Sequence, residues 1–136
     1  MTDTTPAAPS LPPTAGTLLE RMGIEILEVT ADRAVGTMPV EGNTQPYGLL
    51  HGGASAVLVE TLGSYAAQVH AGAGRAAVGI EINATHHRSA RSGSVTGTAT
   101  AVHLGRTLAS YQVVVDDADG RRICTARLTC MLIDAA

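Results

Sequence analysis

Hydrophobic and polar positions change period several times along this chain. Leu18, Leu19 and Met22 suggest a short helix, with Thr14 as its cap and Gly23 where a left-handed terminating residue belongs. Ile24, Ile26 and Val29 then mark one strand and Val35 to Val40 a second, with Ala31-Asp32-Arg33 as the reversal of a hairpin. Glu41 to Leu50 carries Gly42, Asn43, Pro46 and Gly48, too many turn formers for a strand to continue. From Gly52 to His70 the period lengthens. Leu58, Leu62, Tyr65 and Val69 recur at helical spacing and, at about 100° per residue, fall on one side. Glu60 points the opposite way, among Gly53, Ala56, Gly63, Ser64 and Ala67, with Val57 the one larger residue at the edge, so a second surface can approach that face closely. Gly72 and Gly74 end the helix. Ala77 to His86, Ser94 to Leu104, Thr107 to Val115 and Arg121 to Leu132 read as strands, with Asp117-Ala118-Asp119-Gly120 as a hairpin turn.

This order predicts an α+β fold in which an antiparallel sheet wraps one long central helix, because a helix apolar on most sides has to be covered. The 136 residues suit a single domain over 14–136, preceded by a flexible tail, Met1 to Pro13, rich in Thr, Pro and Ala. No segment repeats.

Composition narrows the function classes. With 45% hydrophobic and 15% charged residues the chain suits a packed globular protein. Trp and Phe are absent, and Tyr47, Tyr65 and Tyr111 are the only aromatics, which argues against base stacking; a net charge of -3 also disfavours nucleic acid. Cys124 and Cys130 lie too far apart on one strand to pair and read as buried thiols. No Cys-x-x-Cys or His-x-x-x-His spacing suggests a metal. The N-terminus lacks the pattern of a secretory signal, and no run approaches the roughly 18 apolar residues of a membrane span, so a cytoplasmic location is expected.

The chemistry concentrates between Gln45 and Ser64. Gln45-Pro-Tyr-Gly-Leu-Leu-His51-Gly-Gly-Ala-Ser joins a glycine-rich turn to a helix N-terminus, whose unpaired N–H groups and dipole can stabilise an oxyanion beside Gly52 and Gly53. A thioester carbonyl develops such a charge under attack. Glu60, two turns on, is placed to act as nucleophile or as base for water, and Ser64, one turn further, to hold that water. On spacing alone, other roles stay open: tight packing for the glycines, solvation for Glu60, capping or core packing for His51, helix packing for Ser64 and a plain loop role for Gln45.

Taken together, the run from Gln45 to Ser64, with Val78-Gly-Ile-Glu-Ile-Asn83, His86 to Gly93 and His103-Leu-Gly-Arg106, resembles the hotdog-fold thioesterases of the phenylacetate-degradation and 4-hydroxybenzoyl-CoA type. Thr37-Met-Pro-Val, Gln45 to Ser55 and Gly79 to Arg91 look most like the branch that hydrolyses 1,4-dihydroxy-2-naphthoyl-CoA in menaquinone synthesis and its relative that proofreads aryl carrier proteins. The resemblance implies a hotdog fold, a catalytic carboxylate at Glu60, a carbonyl-polarising N–H at Gly52, and support from Gln45, His51 and Ser64. The Glu and Gln pairing is typical of the aromatic acyl-CoA branch.

His86, Arg88, Ser89, Arg91 and Arg106 are the basic and hydroxyl positions expected to bind the phosphates of CoA, for which arginine is well suited; without the resemblance they also read as an exposed basic loop. His87 is assigned no role. The leading expectation is hydrolysis of an aromatic acyl-CoA with no cofactor, CoA being part of the substrate. The alternatives are hydrolysis of misacylated aryl carrier protein and a non-catalytic acyl-CoA-binding module. The resemblance also implies a homodimer doubled into a homotetramer, with Gln45 and Gly52 of one subunit facing Glu60 of the other.

Overall fold

The structure, a computed structural model, describes residues 11–136. Of the expected tail only Leu11 to Pro13 fall within it; they carry no regular structure and are exposed, and residues 1–10 lie outside the described residues.

Helix α1 spans Leu18–Met22. Its cap position is Thr17, not Thr14. Thr14 instead lends its carbonyl to the N–H and hydroxyl of Thr17, closing a turn before the helix begins. Gly23 ends α1 at φ 73°, and paired bonds from Gly23 N to Glu20 O and from Ile24 N to Leu19 O satisfy the last carbonyls.

Strands β1 (Glu25–Val29) and β2 (Arg33–Pro39) form the expected hairpin, followed by the loop and then helix α2 (Gly52–Ala71). Strands β3 (Arg75–His86), β4 (Ser94–Leu104), β5 (Leu108–Asp116) and β6 (Arg122–Asp134) complete one antiparallel sheet in the order β1-β2-β4-β5-β6-β3. Sequential hairpins build most of it, while β3, which follows the helix, crosses to the far edge beside β6. The sheet wraps α2, and alternate residues face the helix: Ala34 and Met38 on β2, Val95 and Ala99 on β4, Tyr111, Val113 and Val115 on β5, and Ala126, Leu128 and Cys130 on β6 are all buried. Tyr111 is the aromatic member of this aliphatic core, and its hydroxyl donates to Ala31 O at 2.7 Å.

Wrapping also changes which helix residues are interior. The buried rows are Ala54, Leu58, Leu62 and Ala66, and Ser55, Val59, Gly63 and Ala67, whereas Tyr65 and Val69 are only half-buried. Gly63 and Ala67 therefore belong to the core and not to the Glu60 face. The surface approaching Gly63 is the chain's own β6: a β-carbon there would lie 2.5 Å from Leu128 Cδ2. Among the described residues, no helix is long and apolar enough to cross a membrane.

Candidate active site

The loop before α2 is held from both sides. Asn43, buried, donates through Nδ2 to Met22 O (2.7 Å) and Pro39 O (2.8 Å), while Leu50 N bonds to Ala90 O at 2.8 Å. This second bond lays the loop against the segment that follows β3. Gln45 closes a tight turn, its Oε1 accepting from Tyr47 N and Leu49 N and its own N–H donating to Leu49 O.

His51 caps α2. Its Nδ1 accepts the Gly53 N–H at 2.8 Å, which requires the tautomer protonated at Nε2, and its carbonyl accepts from Ala54 N and Ser55 N. Among the first-turn amides, Gly52 N–H is left without a partner among the described residues, so the donor expected for an oxyanion is open. The His86 ring lies directly over Gly52, with Nε2 2.9 Å from where a β-carbon at position 52 would sit. A 360 Å³ pocket gathers Gln45, Gly52, His86, Arg88 and Ser89. His86 thus stands beside Gly52 itself. Arg88, Ser89 and Arg91 also line a neighbouring 540 Å³ cleft shared with the β5–β6 turn.

That turn contributes Arg121, which sequence reading missed. Its guanidinium meets Asp117 at 3.2 Å and Asp119 at 3.4 Å. The Arg121 N–H, then that of Asp119, together with the Arg121 charge, hold the Asp117 carboxyl below its ordinary range.

Glu60 and Ser64 line a different pocket, of 350 Å³, with Thr61, Tyr65, Gln68 and Ala77. Glu60 is exposed, and among the described residues no cation pairs with it. Burial pushes the Cys130 thiol on β6 above its ordinary range, Ser64 opposes this, and the Glu60 charge adds to it. Both cysteines are free and buried, as expected. Gln68 was not singled out from sequence, yet Glu60, Ser64 and Gln68 form one i, i+4 row. It ties α2 to β3, donating to Arg75 O at 2.8 Å and accepting from Ala77 N at 3.1 Å.

Two groups of expected site residues lie apart within one chain. Glu60 is eight residues from Gly52, or about 12 Å along the helix, and the two line different pockets. Arg106 sits in the β4–β5 turn at the other end of α2, where Gly105 O accepts from His70 Nε2 and Arg106 O accepts from Arg75. The helix is about 30 Å long, so Arg106 is not beside His86, Arg88, Ser89 and Arg91 in a single chain.

A profile of the thioesterase superfamily matches residues 47–124, from the loop before α2 through β5 to the first residues of β6. The chain belongs to the thioesterase superfamily. This thioesterase is 49% identical over 115 residues to the proofreading thioesterase EntH of Cronobacter turicensis, with 84% of each chain covered. Its identity to EntH of Klebsiella pneumoniae is also 49%, over 113 residues and 82% of each chain. Among solved structures it superposes on a thioesterase from Haemophilus influenzae with a TM-score of 0.85 at 38% identity, covering 89% of this chain and 85% of the other. The fold is therefore the hotdog fold and the enzyme a thioester hydrolase.

Proposed function

We propose that this thioesterase removes wrongly loaded acyl groups from an aryl carrier protein, and that it accepts aryl-CoA thioesters at the same site. The observation that carries the substrate class is the 49% identity to proofreading thioesterases, which supports the carrier-protein alternative over the aromatic acyl-CoA reading. The two substrates share a thioester on phosphopantetheine. Arg88 and Ser89 line the Gly52 pocket and, with Arg91, the neighbouring cleft, where either the CoA phosphates or an acidic protein surface would meet them.

In this reading the thioester carbonyl oxygen accepts from Gly52 N–H, and Glu60 either attacks the carbonyl carbon or takes a proton from the water that does. The tetrahedral intermediate collapses, the C–S bond breaks, and the thiolate leaves to be protonated; water supplies the remaining oxygen and no metal or redox cofactor takes part. In the first route loss of the thiolate leaves a mixed anhydride that water hydrolyses; label in the Glu60 side chain after a single turnover in ¹⁸O-water identifies that route, with water adding at the glutamyl carbonyl, because general-base catalysis leaves none there.

Since Glu60 and Gly52 occupy separate pockets in one chain, the complete site takes them from two chains. Strand β3 is a long sheet edge with Val78, Ile80 and Ile82 partly exposed, which supports edge-to-edge pairing of two copies into a homodimer, doubled into a homotetramer as the resemblance implies. The substrate proposal is tested by comparing kcat/KM for benzoyl carrier protein and benzoyl-CoA. A clear preference for the carrier protein is expected; a preference for the CoA ester would return the assignment to aryl-CoA hydrolysis.

A further inference from the structure

Strand β3 contains a glycine whose backbone does not require one. Eight glycines among the described residues have positive φ, and Gly79 is not among them. An interior strand glycine weakens a sheet and marks a place where something approaches closely. At Gly36, Gly63 and Gly97 the close neighbours include core leucines, Leu62 at two of them and Leu128 at the third. At Gly79 the only tight neighbour is the carboxylate of Glu60: a β-carbon would lie 2.8 Å from Glu60 Oε1, with Glu60 Cδ at 3.6 Å and Leu128 Cδ1 at 3.7 Å, both ordinary contacts. The strand is also irregular at this point. Gly79 pairs with Cys130 and Glu81 with Thr129, leaving Ile80 as the extra residue of a bulge, a device that re-aims side chains beside functional sites.

The geometry points to Gly79 as a positioning residue for the Glu60 carboxylate: its bare Cα gives the carboxylate a place to lie against β3. The inference rests on the reading of Glu60 as the acting carboxylate. A methyl group at position 79 occupies that place. Because the atom it meets is the end of a flexible side chain, the carboxylate swings away while the sheet and helix stay in place. The reacting oxygen then loses its aim at the substrate.

The test uses the full-length protein with benzoyl-CoA as probe. Gly79→Ala should lower kcat by about tenfold to a hundredfold, the scale of a 1 Å misplacement, with KM within about twofold of wild type. Thermal melting should stay essentially at the wild-type temperature. Glu60→Asp draws the carboxylate back by one methylene, so adding Gly79→Ala to it should cost no further activity. In a Glu60→Ala background the methyl group meets nothing close, and Gly79→Ala should leave melting unchanged. Wild-type kcat in Gly79→Ala while Glu60→Gln is inactive overturns the proposal and leaves the reading of Glu60 intact. Wild-type turnover in Glu60→Gln overturns that reading and the proposal with it. Loss of folding by Gly79→Ala in the Glu60→Ala background also overturns it, by making Gly79 a structural residue.

Discussion

The imidazole of His86 lies on Gly52, its Nε2 2.9 Å from the point a β-carbon would occupy. Helix start and strand end therefore meet across one atom's width at the only first-turn amide left open among the described residues. Gly52→Ala would push the ring aside and crowd the N–H proposed to donate to the developing oxyanion. We expect kcat to fall by roughly a hundredfold, on the scale of one lost oxyanion donor, with little change in melting temperature because the displaced group is a side chain. Steady-state kinetics with a melting curve checks it. A variant with unimpaired kcat would remove Gly52 from the mechanism.

The arginines divide by position. Arg91 lines the cleft that continues from the Gly52 pocket, while Arg106 stands at the opposite end of α2. Arg91→Ala should raise KM severalfold for acyl-CoA and leave the corresponding acyl-pantetheine, which lacks the nucleotide phosphates, almost unaffected. Arg106→Ala should treat both substrates alike. If Arg106→Ala instead selectively weakens acyl-CoA, a second chain brings Arg106 to the nucleotide.

The proposed sharing of each site between two chains predicts the behaviour of mixtures. Gln45 and Gly52 share one pocket and Glu60 lines another. Glu60→Ala and Gln45→Ala are each expected to be nearly inactive. Refolded together in equal amounts, they should recover roughly a quarter of the sites, because each hybrid dimer holds one site with both defects and one with neither. Absence of recovery, with hybrids confirmed by mass, would place Gln45 and Glu60 of each site in the same chain.

Alkaline pH should destabilise the fold. Burial raises the pKa of Cys124, Cys130 and Tyr111 above their ordinary values. The folded chain thus holds these protons more tightly than the unfolded chain. The stability this provides is full below about pH 9, the ordinary thiol value, and is lost as pH rises above it, first through the cysteines and then through Tyr111, whose ordinary value is 10.0. A lower urea midpoint at pH 10 than at pH 8 checks the sign. An unchanged or higher midpoint would contradict it. Replacing both cysteines with alanine should reduce the difference.

The elements were legible in the sequence because their signals are local. Ser94 to Leu104 alternates as a strand must and is one, and the Gly52 to His70 periodicity recovers all but the last residue of α2. The grouping of the motif was legible for a similar reason: a cap, two glycines and a carboxylate two turns on all sit within one short segment. What only the tertiary structure decided depends on residues distant in sequence. Burial of Gly63 and Ala67 follows from a sheet that curves around more of the helix than one apolar stripe describes. The separation of Arg106 from Arg91 follows from the β4–β5 turn lying at the far end of α2. The meeting of Gly79 with Glu60 requires β3 to lie at the edge beside β6, with a bulge at Ile80. Strand order and register are set by how the whole core closes, which is why no window along the chain contains them.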